Sequence, residues 1–219
     1  IPAYRVDVQR PCDVVEDILR IYGYNNVEIP TQLKGCLVVK GAEDKKHKMA
    51  NLVSEQLVGC GFNEIMNNSL TRGAYYEGHN AYPTENCVNI MNPLSNDLNV
   101  MRQSLLFGGL ESIEYNVKRQ NGNLRFFEFG NVYKFDPERK NADNPMAAYK
   151  EDFHLALWLT GKRVENSWAH ANEDSSYNEL DAYVKNILSR IGAQPGMLVR
   201  KKSANDIFAA GIVIENRGG

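Results

Sequence analysis

Four acids near the start of the chain, Asp7, Asp13, Glu16 and Asp17, have types and a spacing that suit metal chemistry. A helix opening near Pro11 would put Asp13, Glu16 and Asp17 at i, i+3 and i+4 on one face of its first turn. Like charges so placed repel by about a few tenths of a kcal/mol unless something cationic compensates. A hard cation with oxygen ligands answers that need, and magnesium takes one or two carboxylates with water completing its shell. A plainer reading competes with this one. Asp13-x-x-Glu16 has the pattern of a capping box, and acids in a first helical turn are favoured by the helix dipole. The residues taken alone favour capping.

Elsewhere the signals for chemistry are thin. His47, His79, His154 and His170 are scattered, none with a serine, cysteine or acid at a spacing that identifies a nucleophile. Gly-x-Gly-x-x-Gly and Walker patterns are missing. Arg102 and Glu128 are single charges in apolar surroundings, a setting in which such residues hydrogen-bond to backbone or to each other and hold strands in register. Lys118, Arg119 and Arg125 make a modest basic group, read as a solvated face, and Trp158 and Trp168 most simply pack in the core.

The elements that must position these residues follow from periodicity. Tyr4 to Val8 alternates like a strand, and Pro11 opens a helix carrying Val15, Ile18, Leu19 and Tyr22 before Gly23 stops it. Val27 to Lys40, with Pro30, Gly35 and the run Leu37-Val38-Val39, reads as a connector with strand character. A second region starts near Gly41. Its first helix spans Ala42 to Cys60 with a stripe of Met49, Leu52, Val53, Leu57 and Cys60, stopped by Gly61. Met49, Leu52 and Leu57 are expected in the core.

Further on, Glu64 to Leu70 and Cys87 to Met91 read as strands. Leu105 to Gln120 reads as a helix buried through Leu106, Leu110, Ile113 and Val117, and Leu124 to Phe135 with Phe153 to Thr160 as an antiparallel pair. Ser176-Tyr177-Asn178-Glu179 is a capping box for a helix that runs to Gly192, and Met197 to Lys201 and Ile207 to Ile214 close the chain as strands. Helices alternating irregularly with strand pairs predict an α+β fold, an antiparallel sheet flanked by helices.

Composition bounds the function. With 219 residues and 43% apolar content the chain can build a sizeable core. Its 25 basic and 27 acidic residues leave a net charge of -2, which disfavours a broadly basic nucleic-acid binder. Cys12, Cys36, Cys60 and Cys87 lie far apart without a Cys-x-x-Cys pair, as expected of reduced thiols in a cytosolic protein. No apolar run reaches the roughly 18 residues of a membrane span. The start at Ile1 without methionine and the end at Gly219 read as cuts through a longer polypeptide.

One ordered set of motifs says more than the rest. Met91-Asn92-Pro93-Leu94-Ser95 is followed by Met101-Arg102-Gln103-Ser104-Leu105-Leu106. A helix ending at Asn121-Gly122 comes next, and then Phe127-Glu128-Phe129-Gly130-Asn131-Val132-Tyr133. This order resembles the beta subunit of bacterial phenylalanyl-tRNA synthetases. Tyr4-Arg5-x-Asp7, Asp13-x-x-Glu16-Asp17 and Tyr22-Gly23-Tyr24 are similar to the end of the accessory domain that precedes the synthetase-like core in the same subunits.

The resemblance implies a class II aminoacyl-tRNA synthetase-like fold preceded by a small strand-helix fragment. Residues 1–40 would be the C-terminal part of the accessory domain with its connector, and residues 41–219 a non-catalytic, catalytic-like core truncated at its C-terminus. It assigns Asp7, Asp13, Glu16 and Asp17 to magnesium shared with an alpha subunit; Asp17 stands where glutamate is usual, one methylene shorter. It also implies an alpha2-beta2 heterotetramer in the cytoplasm that uses ATP to charge tRNA(Phe), with no ATP expected on this fragment. The helix from Ala42 corresponds to the first class II motif, an interface builder, with Lys45-Lys46-His47-Lys48 bordering a partner while Met49, Leu52 and Leu57 enter the core.

Where the family of class II enzymes places an arginine on the ATP alpha-phosphate, Lys134 offers a point charge, and Gly211 to Arg217 carries no convincing second arginine signature. No catalytic and no cofactor-binding residue is therefore nominated. Two other classes compete: a free-standing magnesium-dependent hydrolase using the N-terminal acids, which would need a substrate clamp, and an RNA-binding or interaction module, which would need a continuous basic face.

Overall fold

The computed structural model describes residues 1–32, 35, 41–141, 143–165 and 167–217. The chain divides into two compact units, Ile1–Lys40 and Gly41–Gly219. Leu37-Val38-Val39 and Cys36, read above as connector strand and thiol, lie outside the described residues.

The smaller unit is built on helix α1, Pro11–Tyr22. Proline at the first helical position needs no amide partner, and Gly23 at φ +93° ends the helix in a conformation that side chains resist. No residue of α1 is buried. The expected strand over Tyr4 to Val8 is not formed. Amides of Arg5 and Val8 instead donate to the carbonyls of Pro2 and Arg5, closing successive turns, and the Arg5 side chain folds onto Asp7 rather than alternating away from it.

In the larger unit α2 covers Ala42–Gly59, and short strands β1 Asn63–Glu64, β2 Leu70–Thr71, β3 Val88–Asn89 and β4 Val100–Met101 follow. Then come α3 Leu106–Val117, the long strands β5 Leu124–Phe135 and β6 Tyr149–Thr160, and the small strands β7 Lys162–Val164 and β8 Glu173–Asp174. Helix α4, Tyr177–Arg190, and the strands β9 Leu198–Ser203 and β10 Gly211–Asn216 close the chain. The class is mixed α and β, with four α-helices and several small sheets among the described residues.

The central sheet has the order β1-β5-β6. β5 and β6 pair antiparallel from Leu124↔Thr160 to Phe135↔Tyr149 without a slip, whereas β1 lies parallel to β5. Strand alternation sorts the side chains into two faces. Phe127, Phe129, Leu155, Leu157 and Leu159 pack with Val53 and Leu57 of α2 and with Tyr183 and Ile187 of α4. Phe126, Val132, Ala156 and Trp158 pack with Leu105 and with Ile113 of α3.

Three expectations about burial need correction. On α2 the core residues are Val53 and Leu57, while Met49 is half exposed. On α3 Ile113 packs on the core as expected and Leu106 is partly buried, but Leu110 and Val117 are exposed and Gly109 is buried in their place. The cause is Gly109: a Cβ there would lie 2.1 Å from the Trp158 ring, so only glycine lets this turn of α3 sit against β6. Trp168 is fully exposed, in the bend between β7 and β8 where the Ser167 hydroxyl accepts the Ala169 and His170 amides.

Candidate functional site

The acids on and before α1 are each engaged locally. Asp7 and Asp17 converge on one guanidinium, that of Arg5, with Nη2 to carboxylate oxygen distances of 3.1 Å on both sides. Asp13 caps the helix from its third position, accepting the Arg10 amide at 2.8 Å and the Gln9 amide at 3.0 Å, with Arg10 Nη2 at 3.2 Å. The box therefore opens at Arg10, one turn earlier than the Asp13-x-x-Glu16 pattern suggested, with Asp13 as its acidic partner. Glu16 accepts from Arg20 at 2.9 Å, one turn along. The Arg5 guanidinium holds the Asp7 carboxyl below its usual range, and the Arg10 amide followed by the Gln9 amide does the same for Asp13.

These positions bear on whether the acids suit a hard cation. Arg5 is a stand-in cation between Asp7 and Asp17, so two carboxylates already reach one positive centre, which is the number magnesium commonly takes from protein. Asp13 and Glu16 are committed to other partners. Among the described residues no group of three or more histidines, cysteines or acids is arranged to hold a metal unaided. The hydrolase reading, which needs a substrate clamp beside these acids, gains no support among the described residues.

The second constellation sits on the α3 side of the central sheet. Arg102, just after β4, and Glu128, in the middle of β5, form an ion pair at 2.6 Å with side chains 8% and 1% exposed. Each is satisfied further. Arg102 Nε donates to the Asn131 carbonyl at 2.9 Å and Nη1 to the Asn67 carbonyl at 3.3 Å. Glu128 accepts the Asn67 amide at 3.2 Å and the Asn67 Nδ2 at 2.7 Å, and Asn67 Oδ1 receives the Ser112 hydroxyl of α3 at 2.9 Å. The pairing expected from the sequence is present. It ties the segment before β2, the end of β4, the middle of β5 and helix α3 into one network. Gly130 makes room for it, since a Cβ there would lie 2.2 Å from Arg102 Nη2.

The cleft beside this network, lined by Asn67, Thr71, Arg102, Ser104 and Glu111 among others, encloses 90 Å³. Small-molecule sites begin at about 300 Å³. Lys134, at the far end of β5, is exposed and stands in register opposite Lys150, which is itself paired with Asp152 at 2.8 Å. The Lys118, Arg119 and Arg125 group is dispersed. Lys118 pairs with Glu114 within α3, and Arg119 lies over the Tyr115 ring. Arg125 turns inward to Glu179 and to the carbonyls of Cys60 and Arg163. No continuous basic face arises from these residues, and the RNA-module reading gains nothing from them.

Two family models and several curated relatives match the chain. Residues 29–215 match the family model described as phenylalanyl tRNA synthetase beta chain CLM domain, and residues 1–24 match the tRNA synthetase B5 domain. Over all 219 residues the chain is 60% identical to the phenylalanine--tRNA ligase beta subunits of Bacteroides fragilis and of Bacteroides thetaiotaomicron. It spans 27% of the length of these curated relatives. Among solved structures it is similar in fold to the pyrrolysyl-tRNA synthetase of Desulfitobacterium hafniense, with a TM-score of 0.51 and 11% identity over 78% of this chain and 55% of that one.

Proposed function

The chain belongs to the phenylalanyl-tRNA synthetase beta chain family, and from that premise we propose that it is a non-catalytic, synthetase-like scaffold that docks an alpha subunit. The assembled cytoplasmic enzyme, an alpha2-beta2 heterotetramer, would then charge tRNA(Phe) with phenylalanine at the expense of ATP, which this chain does not itself hold. Residues 1–40 are read as the end of the accessory domain with its connector. Residues 41–219 are read as the catalytic-like core, a class II sheet flanked by α2, α3 and α4.

The observation that carries this reading is the Arg102–Glu128 pair. The buried guanidinium on this face of the sheet, the group suited to gripping a phosphate or carboxylate, is neutralised by a carboxylate from the chain itself. In support, the neighbouring cleft of 90 Å³ is smaller than small-molecule sites commonly are, and Lys134 supplies a single point charge in place of a fork. On α2, the half-exposed Met49 and exposed Val58 leave apolar surface for a partner helix.

Magnesium, in this reading, is shared between subunits and drawn to Asp7, Asp13, Glu16 and Asp17. Asp7 and Asp17 would hold it once Arg5 swings aside, and the ion would supply charge that bridges carboxylates of two chains. Size-exclusion chromatography of the chain mixed with a phenylalanyl alpha subunit tests the docking. Co-elution at equal stoichiometry is expected, and separate elution at micromolar concentration would defeat it. In a calorimetric arm, magnesium titrated into the chain alone should give no resolvable heat, because Arg5 already compensates the two acids. Tight binding without the alpha chain would contradict a shared site.

A further inference from the structure

The β9–β10 hairpin carries a device that none of the preceding functions uses. Its tip, residues 204–210, is shaped by Asn205, whose Oδ1 accepts the Ile207 amide at 2.9 Å and the Phe208 amide at 2.7 Å. That turn presents Asp206 to a segment 126 positions earlier. The Asp206 carboxylate accepts the Asn80 amide through Oδ2 and the Ala81 amide through Oδ1, the latter at 3.3 Å, and His79 Nδ1 stands 3.9 Å away. One carboxylate thus closes the tip against two consecutive backbone donors, a charge-assisted arrangement of the stronger kind.

Beyond the clasp, Phe208 forms part of the wall of an apolar groove of 510 Å³. Leu106, Leu110 and Ile113 of α3 line it, with Trp158 of β6 and Tyr82 from the segment just after the clasped amides. Phe208 and Leu110 are each about half exposed, at 46%, so the aromatic ring stands at the rim of the groove without being locked into the core. A rim residue on a tip held by a carboxylate clasp at one side is the geometry of a strap that can open.

We propose that residues 204–210 form a strap, latched by Asp206 onto the Asn80 and Ala81 amides, that holds Phe208 in the wall of the groove between α3 and β6. Opening the latch frees the hairpin tip and withdraws Phe208 from the wall it shares with Leu106 and Trp158, widening the apolar groove while the sheet beneath stays intact.

Hydrogen exchange read peptide by peptide on the intact chain, together with binding of the apolar dye ANS, tests the strap. In Asp206→Ala, exchange over residues 79–83 should speed up by about tenfold or more, because two hydrogen bonds to a charged acceptor are lost. ANS fluorescence should rise, and exchange in β5 should be unchanged. Asp206→Asn keeps the shape and one acceptor, so it should show the same local change in a smaller step, and it replaces the alanine variant if that one fails to fold. Phe208→Ala should raise ANS fluorescence while leaving the Asn80 and Ala81 amides protected. Unchanged exchange over 79–83 in both Asp206 variants would overturn the latch. Equal acceleration across β5 and β6 would also overturn it, since loosening would then be global.

Discussion

Arg102→Ala should cost the larger unit about 3–5 kcal/mol of stability, the range for leaving one partner of a buried ion pair without the other. Glu128 would keep its contacts to Asn67 but lose the guanidinium that neutralises it, in a position 1% exposed to water. The carbonyls of Asn67 and Asn131 would each lose a donor as well. For a unit of this size the loss corresponds to a fall in melting temperature of about 6–20 °C. The double variant Arg102→Ala with Glu128→Ala should be less damaging than the two single changes added together, because the uncompensated charge is gone. Strict additivity in thermal melts would mean that the two side chains act independently, against the network drawn here.

Phe127→Ala should be comparably destructive, about 3–5 kcal/mol, for a different reason. The ring is fully buried and is the point where β5 meets both α2 and α4, packed with Val53, Leu57, Phe62 and Ile187 and edge-on to Phe129. Its backbone carbonyl also receives the Ile65 amide at 2.8 Å just past β1, so the strand around it is pinned and cannot collapse into the vacated space. The urea midpoint should therefore fall while the slope of the transition holds. A loss below about 1 kcal/mol would show that the site relaxes, and would contradict the rigid sheet on which the Arg102–Glu128 network rests.

How far these features could be read in advance depends on whether their cause is local. The β5–β6 pair was legible because alternation and aromatic content act within a few residues, and α4 because the Ser176 hydroxyl meets the Glu179 amide, at 3.3 Å, only three positions away. Helix α3 is legible from its periodicity, with Leu106 and Ile113 inward, but Leu110 and Val117 are not, since hydropathy weights Leu110 and gives Gly109 no weight, while the fold needs the glycine where Trp158 comes closest. The four acids were legible as a cluster, and their engagement by Arg5, Arg10 and Arg20 was not, because a pattern of acids does not say which cation answers it. Arg102 and Glu128 announced themselves as lone charges among apolar neighbours. Asp206 gave no such signal, its partners lying 126 positions away.

The claim at the centre is that a synthetase-like core here has turned the buried guanidinium of Arg102 to holding its own sheet together. Phenylalanine-dependent exchange of pyrophosphate into ATP, measured on a preparation free of alpha subunit, tests that claim most directly. The account predicts no exchange above the background of a blank reaction at any magnesium concentration. Robust, phenylalanine-dependent exchange by this chain alone would contradict it.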